Sequence, residues 1–274
     1  APKSVSLIAI HQHKIPNIFP EDVLLQSKKA SFLQNKEWDD YSHVPFVTID
    51  PKDARDHDDA CYAKPDDDPK NIGGHLIWVA IADVAHFVRS GDAIDNEARH
   101  RGNSTYFPDR VVPMLPDNLS GNLCSLHEGE KRACIVVKIK IDSVGNKISH
   151  KFTRAVIQSW ASLEYGEVQE VIDKGKGKPK VLDLVNTVIK PLYDAYSCLK
   201  ISRKARSPLD LNLPERKIEI DEKGIVKDVR FKERLEAHKL IEEFMILANV
   251  CAAETLSYKK TPTIFRVHEE PDKE

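Results

Sequence analysis

The sequence predicts a mixed α/β or α+β protein. Extended Val/Ile-rich runs alternate along the chain with segments of helical period, which excludes an all-α or all-β reading. Two hairpin signals, at Ser143–Asn146 and around Glu222–Gly224, demand antiparallel neighbours, more than a doubly wound parallel sheet would carry. At 274 residues and 41% apolar content the chain is long enough to bury a substantial core.

The elements follow in order. "VSLIAI" (5–10) reads as a short strand, and a Pro-punctuated stretch leads to a short helix around Glu21–Leu33. "PFVTID" (45–50) is a strand, because Phe, Val, Thr and Ile favour extended backbone, and Asp50 closes it. "DDDPKNIGG" (66–74) is a turn-rich loop. The nearly unbroken apolar run 75–88 predicts a strand buried on both faces, with the intervening loop closing a pair with "PFVTID". "DAIDNEARHRG" (92–102) predicts a helix: acid early, Arg and His late, Gly102 just beyond. The three prolines of "NSTYFPDRVVPMLP" exclude regular helix there.

"ACIVVKIKID" and "KISHKFTRAVIQ" form the first hairpin. Ser162 is the expected N-cap of a helix "SLEYGEVQEVID", and 175–180 a loop. Residues 181–205 are helical by pattern, with Pro191 kinking or restarting the helix; 216–231 is the second hairpin. The clearest helix is 233–258, where Leu235, Leu240, Phe244, Leu247, Cys251 and Thr255 recur at helical spacing. "TPTIFRVH" (261–268) predicts a closing strand.

A net charge of −2 gives no global electrostatic reason to expect a nucleic acid partner. No apolar run reaches the roughly 18 residues of a membrane span. The five cysteines show no C-x-x-C pair and are odd in number, which disfavours a disulfide framework or a zinc finger. They read as buried free thiols of a cytoplasmic protein. The chain begins without Met and ends in "HEEPDKE", so both ends are expected to be cuts from something longer.

The chemistry concentrates in "TIDPKDARDHDDACY" (48–62). Asp50, Asp53, Asp56, Asp58 and Asp59 crowd into ten residues against only Lys52 and Arg55. Like charges this close repel, and a buried carboxylate without a partner is costly. Flanking "PFVTI" and "ACY" pin the cluster to the core, unlike a solvated acidic loop. Carboxylates crowd together stably around a shared hard cation, and Mg²⁺ prefers such oxygen ligands. EF-hand spacing is absent. A loop folding over its own strand end could aim Asp50, Asp56, Asp58 and Asp59 at one point, and such sites most often handle phosphoryl groups. A structural or solvated acidic cluster is the competing reading. His57, amid hard-oxygen ligands, reads as an outward-facing residue.

The pattern T-I-D-x-x-D-A-R-D-x-D-D-A resembles the signature of the RNase II/RNase R family of 3′-to-5′ exoribonucleases, the RNB domain. "LIWVAIADVAHFV", "ARHRGNSTYFPDRVVPMLP", "LSGNLCSL" and "AHKLIEEFMILANVCAAE" agree in the family's order, and "DARDHDD" is closest to the RNase R branch. The resemblance implies a mixed β-barrel or curved sheet wrapped by helices. It implies hydrolysis of single-stranded RNA from the 3′ end to nucleoside 5′-monophosphates by two-metal in-line attack of water. One or two Mg²⁺, with Mn²⁺ a plausible substitute, would be held by Asp50, Asp56, Asp58 and Asp59, with Asp58 and Asp59 catalytic. Tyr106 would stack on a base, and Tyr165 with Glu242 would recognise the ribose. Asp53 would be structural.

The resemblance also implies that 1–43 leads into the domain and 44–274 forms about its N-terminal two-thirds, incomplete at the C-terminus. The family's Ser-Pro-Ile-Arg motif, with its phosphate-binding arginine, and its cold-shock-like and S1 domains are not in the sequence. The isolated chain, a monomer by expectation, should therefore be weakly active or inactive. The family's second aromatic clamp falls where Leu209, Asp210 and Leu211 stand, with no ring. Two other classes remain open: a non-catalytic RNA-binding relative, and a Mg²⁺ phosphohydrolase acting on small molecules.

Overall fold

Eleven strands, eight α-helices and two single-turn π-helices (Leu119–Leu123 and Val185–Ile189) are formed among the described residues of the computed structural model, which are 2–32, 37–206, 216–221, 225–231, 233–265 and 267. In chain order they are α1 (Pro2–Gln12), α2 (Glu21–Lys29), β1 (Asp39–Asp40), β2 (Val47–Asp50), β3 (Asp59–Pro65) and β4 (His75–Ala82). Then come α3 (Val84–Phe87), α4 (Ala93–Arg101), β5 (Thr105–Tyr106), β6 (Val111–Val112), β7 (Lys131–Ile141), β8 (Lys147–Gln158) and β9 (Ala161–Glu164). The chain continues through α5 (Tyr165–Lys174), α6 (Pro179–Asp183), α7 (Lys190–Ala205), β10 (Arg216–Ile220), β11 (Val226–Phe231) and α8 (Glu236–Tyr258).

Seven strands make one sheet in the order β1-β8-β7-β4-β3-β2-β9. It is mixed: β1 runs parallel to β8 and β9 parallel to β2, while the central pairs are antiparallel. Only Ser159 and Trp160 separate β8 from β9, although these strands lie far apart in the order. Two residues cannot bridge a flat sheet of that width. One nearly continuous strand therefore pairs first with β7 and then with β2, and the sheet coils strongly to allow it. Of the two architectures the sequence offered, the curved sheet is formed and the closed barrel is not.

Helices cover both faces. Val47, Ile49, Cys61, Ile77, Val79, Val137 and Ile139 pack against Val168, Leu192, Leu199, Leu240 and Phe244 of α5, α7 and α8. Phe46, Ala60, Trp78, Ala80, Val136 and Ile157 pack on the other side with Val23, Ile94, Leu119 and Leu126. Each fully buried Ile, Leu or Phe contributes about 1.5–3 kcal/mol of transfer free energy, so the centre of the sheet is the rigid part. β4 is buried on both faces, as its unbroken apolar run predicts. All five cysteines are free and buried. Among the described residues no helix is long and apolar enough to cross a membrane.

Several expectations are corrected. "VSLIAI" lies within helix α1, not a strand: Ser6 and Ile10 face inward one turn apart, and the helix satisfies its own backbone. β3 intervenes between the two strands expected to pair directly, so β2 and β4 each flank it. The run 75–88 stops being a strand at Ala82 and turns into α3. Ser162 is not an N-cap; 161–164 extends alongside β2 in register, Val47 to Ala161 through Asp50 to Glu164, and the helix starts at Tyr165. Tertiary pairing outweighs a local capping preference there. Residues 261–265 form no strand. The Leu209–Leu211 segment and His268 lie outside the described residues.

Candidate active site

The acidic stretch occupies one end of the sheet. Asp50 is the last residue of β2 and Asp59 the first of β3, so the antiparallel β2 and β3 bring both to the same end. The loop between them begins with a turn in which Ala54 N–H donates to Pro51 O at 3.0 Å. It is then tied down from outside: Leu126 N–H donates to His57 O at 2.8 Å, and Ala82 N–H to Asp58 O at 3.0 Å. Beside Asp50, β9 ends at Glu164 and hands on to Tyr165 at the start of α5.

The electrostatics follow from crowding. Burial pushes the Asp58 carboxyl up, and the charges of Asp56 and Asp50 push it further. Asp59 is pushed up to about 7, by burial first and then by Asp50 and Asp58. The four aspartates named by the sequence are thus electrostatic neighbours. His57 is not outward-facing: its Nδ1 lies 2.6 Å from Asp50 Oδ2 and 3.4 Å from Thr48 Oγ1, and its ring meets His127 edge-on. The hydrogen bond to Asp50 raises the imidazole pKa, against the opposing effect of burial. A short side chain drawn in among carboxylates is stabilised by them, which is why it does not point away.

The convergence expected of the four carboxylates is only partial. Among the described residues no three His, Cys, Asp or Glu side chains gather closely enough to hold an ion as they stand. Asp50 is turned onto His57 instead. In donor chemistry the set still fits a hard divalent cation, because all its donors are carboxylate oxygens.

Tyr106 sits on the short β5–β6 hairpin with 68% of its surface exposed, beside Asp56 and Asp58. Burial raises its phenol pKa first, then the two acids. Tyr165 is partly buried, and its phenol pKa is raised by burial and then by Asp50, Asp59 and Glu242. The last of these brings Glu242 to the same end of the molecule, where it holds an ion pair with Arg234. Asp53 has contacts of its own and is not a free carboxylate.

Two contributors escaped sequence reasoning. His238 stacks on Tyr165, ring centroids 4.0 Å apart and planes 16° apart, while its Nδ1 accepts from Leu235 N–H at 3.1 Å. Nothing in "AHKL" signals that. Ser125, fully buried, touches the acidic loop directly, and its only sequence signal is membership of "LSGNLCSL".

A coiled mixed sheet with helices on both faces and a carboxylate loop at one end defines the structural class. The chain belongs to the RNB domain family, whose profile matches residues 38–274. It is 37% identical over 271 residues to Ribonuclease R of Escherichia coli (strain K12), covering 97% of this chain and 33% of that protein. It is 36% identical to Ribonuclease R of Thermotoga maritima, covering 98% of this chain and 38% of the relative. The chain thus spans about a third of the length of the curated relatives it matches. Mycoplasma genitalium RNase R in complex with ribose methylated single-stranded RNA superposes with a TM-score of 0.90 at 30% identity, over 98% of this chain and 42% of that one. Yeast Ssd1, described as a pseudonuclease, shares the fold at a TM-score of 0.58 and 17% identity, over 88% of this chain and 28% of that one.

Proposed function

We propose that this chain carries the acidic site of a Mg²⁺-dependent 3′-to-5′ exoribonuclease acting on single-stranded RNA. The observation that carries the reading is the gathering of Asp50, Asp56, Asp58 and Asp59 at one end of the sheet, where Asp50 closes β2, Asp59 opens β3 and the loop between them holds the other two. The fold by itself is weaker support, since a pseudonuclease shares it. The similarity to an RNase R bound to single-stranded RNA favours the same polymer here. We also assign residues 44–274 to the catalytic domain and the protein to the cytoplasm as a monomer.

In this reading Asp50, Asp56, Asp58 and Asp59 would hold one or two Mg²⁺, for which Mn²⁺ could substitute. When bound, the metal supplies Lewis acidity toward a phosphodiester and a more acidic water. The protein's own groups do the positioning. Asp58 and Asp59 would act as the catalytic carboxylates. Tyr106 offers an exposed ring on which a base can stack whatever its identity. Tyr165 and Glu242 are suited to a ribose 2′-hydroxyl, which both donates and accepts. Water adds to phosphorus, the P–O3′ bond breaks, and a nucleoside 5′-monophosphate leaves from the 3′ end.

Asp58→Asn tests this. Incubated with 5′-labelled oligo(A) and Mg²⁺, this chain on its own should shorten the strand weakly or not at all, whereas the same segment within a protein of the relatives' full length should do so stepwise. The variant should lose at least about 10²-fold of that rate while RNA affinity changes little. Unchanged turnover in the variant would sink the assignment.

A further inference from the structure

We infer that Ser125 is the positioning residue that shapes the acidic loop, and that this is the role of "LSGNLCSL". The inference rests on the metal reading above. The Ser125 hydroxyl works in both directions: it accepts from His57 N–H at 3.0 Å and donates to Arg55 O at 3.2 Å. Those two groups belong to the peptide units on either side of Asp56. One hydroxyl therefore fixes both backbone torsions of that aspartate.

The next two peptide units are held as well. Leu126 N–H takes the carbonyl of His57, and Ala82 N–H takes that of Asp58. Four successive peptide units, from Arg55–Asp56 to Asp58–Asp59, are thus each tied by a hydrogen bond from outside the loop. The backbone of Asp56 and Asp58 is set before any ligand arrives. That matters because the loop's own charges would otherwise drive it open.

Ser125 can serve as a template because it is itself immobile. It is fully buried, its N–H donates to Asn122 O at 2.9 Å, and its carbonyl accepts from Arg132 Nε at 2.9 Å. Arg132 is only 6% exposed and also reaches Asn122 Oδ1 at 3.2 Å. A buried arginine with several acceptors anchors the Asn122–Ser125 segment, and the serine hydroxyl transmits that anchoring to the loop that carries the carboxylates.

The test compares Mn²⁺ affinity, read by the electron paramagnetic resonance of the free ion, in the wild type and three variants. Ser125→Ala is expected to bind Mn²⁺ about 10- to 100-fold more weakly. Ser125→Thr, which keeps the hydroxyl, should stay within about threefold of wild type, a difference of roughly 0.7 kcal/mol. Ser159→Ala removes another buried hydroxyl, one bonded to Ala161 O, and should leave Mn²⁺ affinity unchanged. Equal losses in Ser125→Ala and Ser159→Ala would overturn the inference, because general loosening would then explain both. So would a Ser125→Ala protein with wild-type affinity. Amide exchange gives a metal-independent reading: Ser125→Ala should speed exchange at His57. A wild type that takes up no Mn²⁺ fails the metal reading alone, and unaltered His57 exchange in the variant then refutes the role of Ser125.

Discussion

Two acidic loops lie on this sheet, and they behave in opposite ways. The hairpin between β3 and β4 carries Asp66, Asp67 and Asp68; the loop between β2 and β3 carries Asp53, Asp56 and Asp58, with Asp50 and Asp59 at its ends. In the first, Lys140 Nζ bridges Asp66 at 2.8 Å and Asp68 at 2.6 Å, Lys64 pairs with Asp67 at 2.8 Å, and Asn71 donates to Asp66 at 2.8 Å. Those partners, Lys140 first, pull Asp66 down to about 2 and lower Asp68. In the second loop burial and like charge push Asp58 up and Asp59 up to about 7, against the opposing charge of His57. One loop is a finished turn, and the other is left with charge that an external cation can take up. Acidic composition alone does not distinguish them; the partners do.

If the β2–β3 loop holds Mg²⁺ as proposed, the largest separation between the loops is expected in divalent-ion stabilisation. Mg²⁺ at 100 times its dissociation constant should stabilise the wild type by about 2.7 kcal/mol. Thermal melts should lose that gain in Asp59→Asn and keep it in Asp68→Asn; equal loss in both would break the comparison. A smaller contrast has opposite signs. Asp66→Asn should destabilise by about 1–2 kcal/mol, since it removes an ion pair and weakens the bond to buried Asn71. Asp59→Asn in the metal-free protein at pH 8 should stabilise by about 1 kcal/mol, because a repelled buried charge disappears. Chemical denaturation curves check both.

The smallest effect is on pH dependence. Asp59 is raised, so the folded state holds a proton there that the unfolded state releases at lower pH. Its contribution falls as pH climbs from about 4 to about 7 and is level above that. His57, also raised, acts in the same direction: its contribution is complete below the ordinary histidine range and is lost as pH rises through the folded value. Asp66, lowered to about 2, matters only on the acid side, where its stabilisation is lost as pH falls from about 4. The metal-free protein should therefore melt a few degrees higher near pH 5.5 than near pH 8, with Asp59→Asn flattening the profile. A profile rising toward pH 8 in the wild type would contradict the crowding of the β2–β3 loop.

By itself the sequence determined the strand that ends in Asp50, the hairpin over 133–158, the helices at 92–102 and 233–258, and the knot of aspartates. These are local: strand runs, turn residues and helical period act within a few residues, and so do the charges of "DARDHDD". What only the tertiary structure decided are the features whose partner is placed by the fold. β9 is a strand because β2 lies beside it, despite a helix signal at Ser162. His57 turns inward because Asp50 ends the neighbouring strand. Ser125 acquires its place only when a segment about 70 residues downstream folds against the loop. Hydrogen bonds and Coulomb forces act over a few ångströms of space, and sequence separation does not report which groups folding will bring within that range.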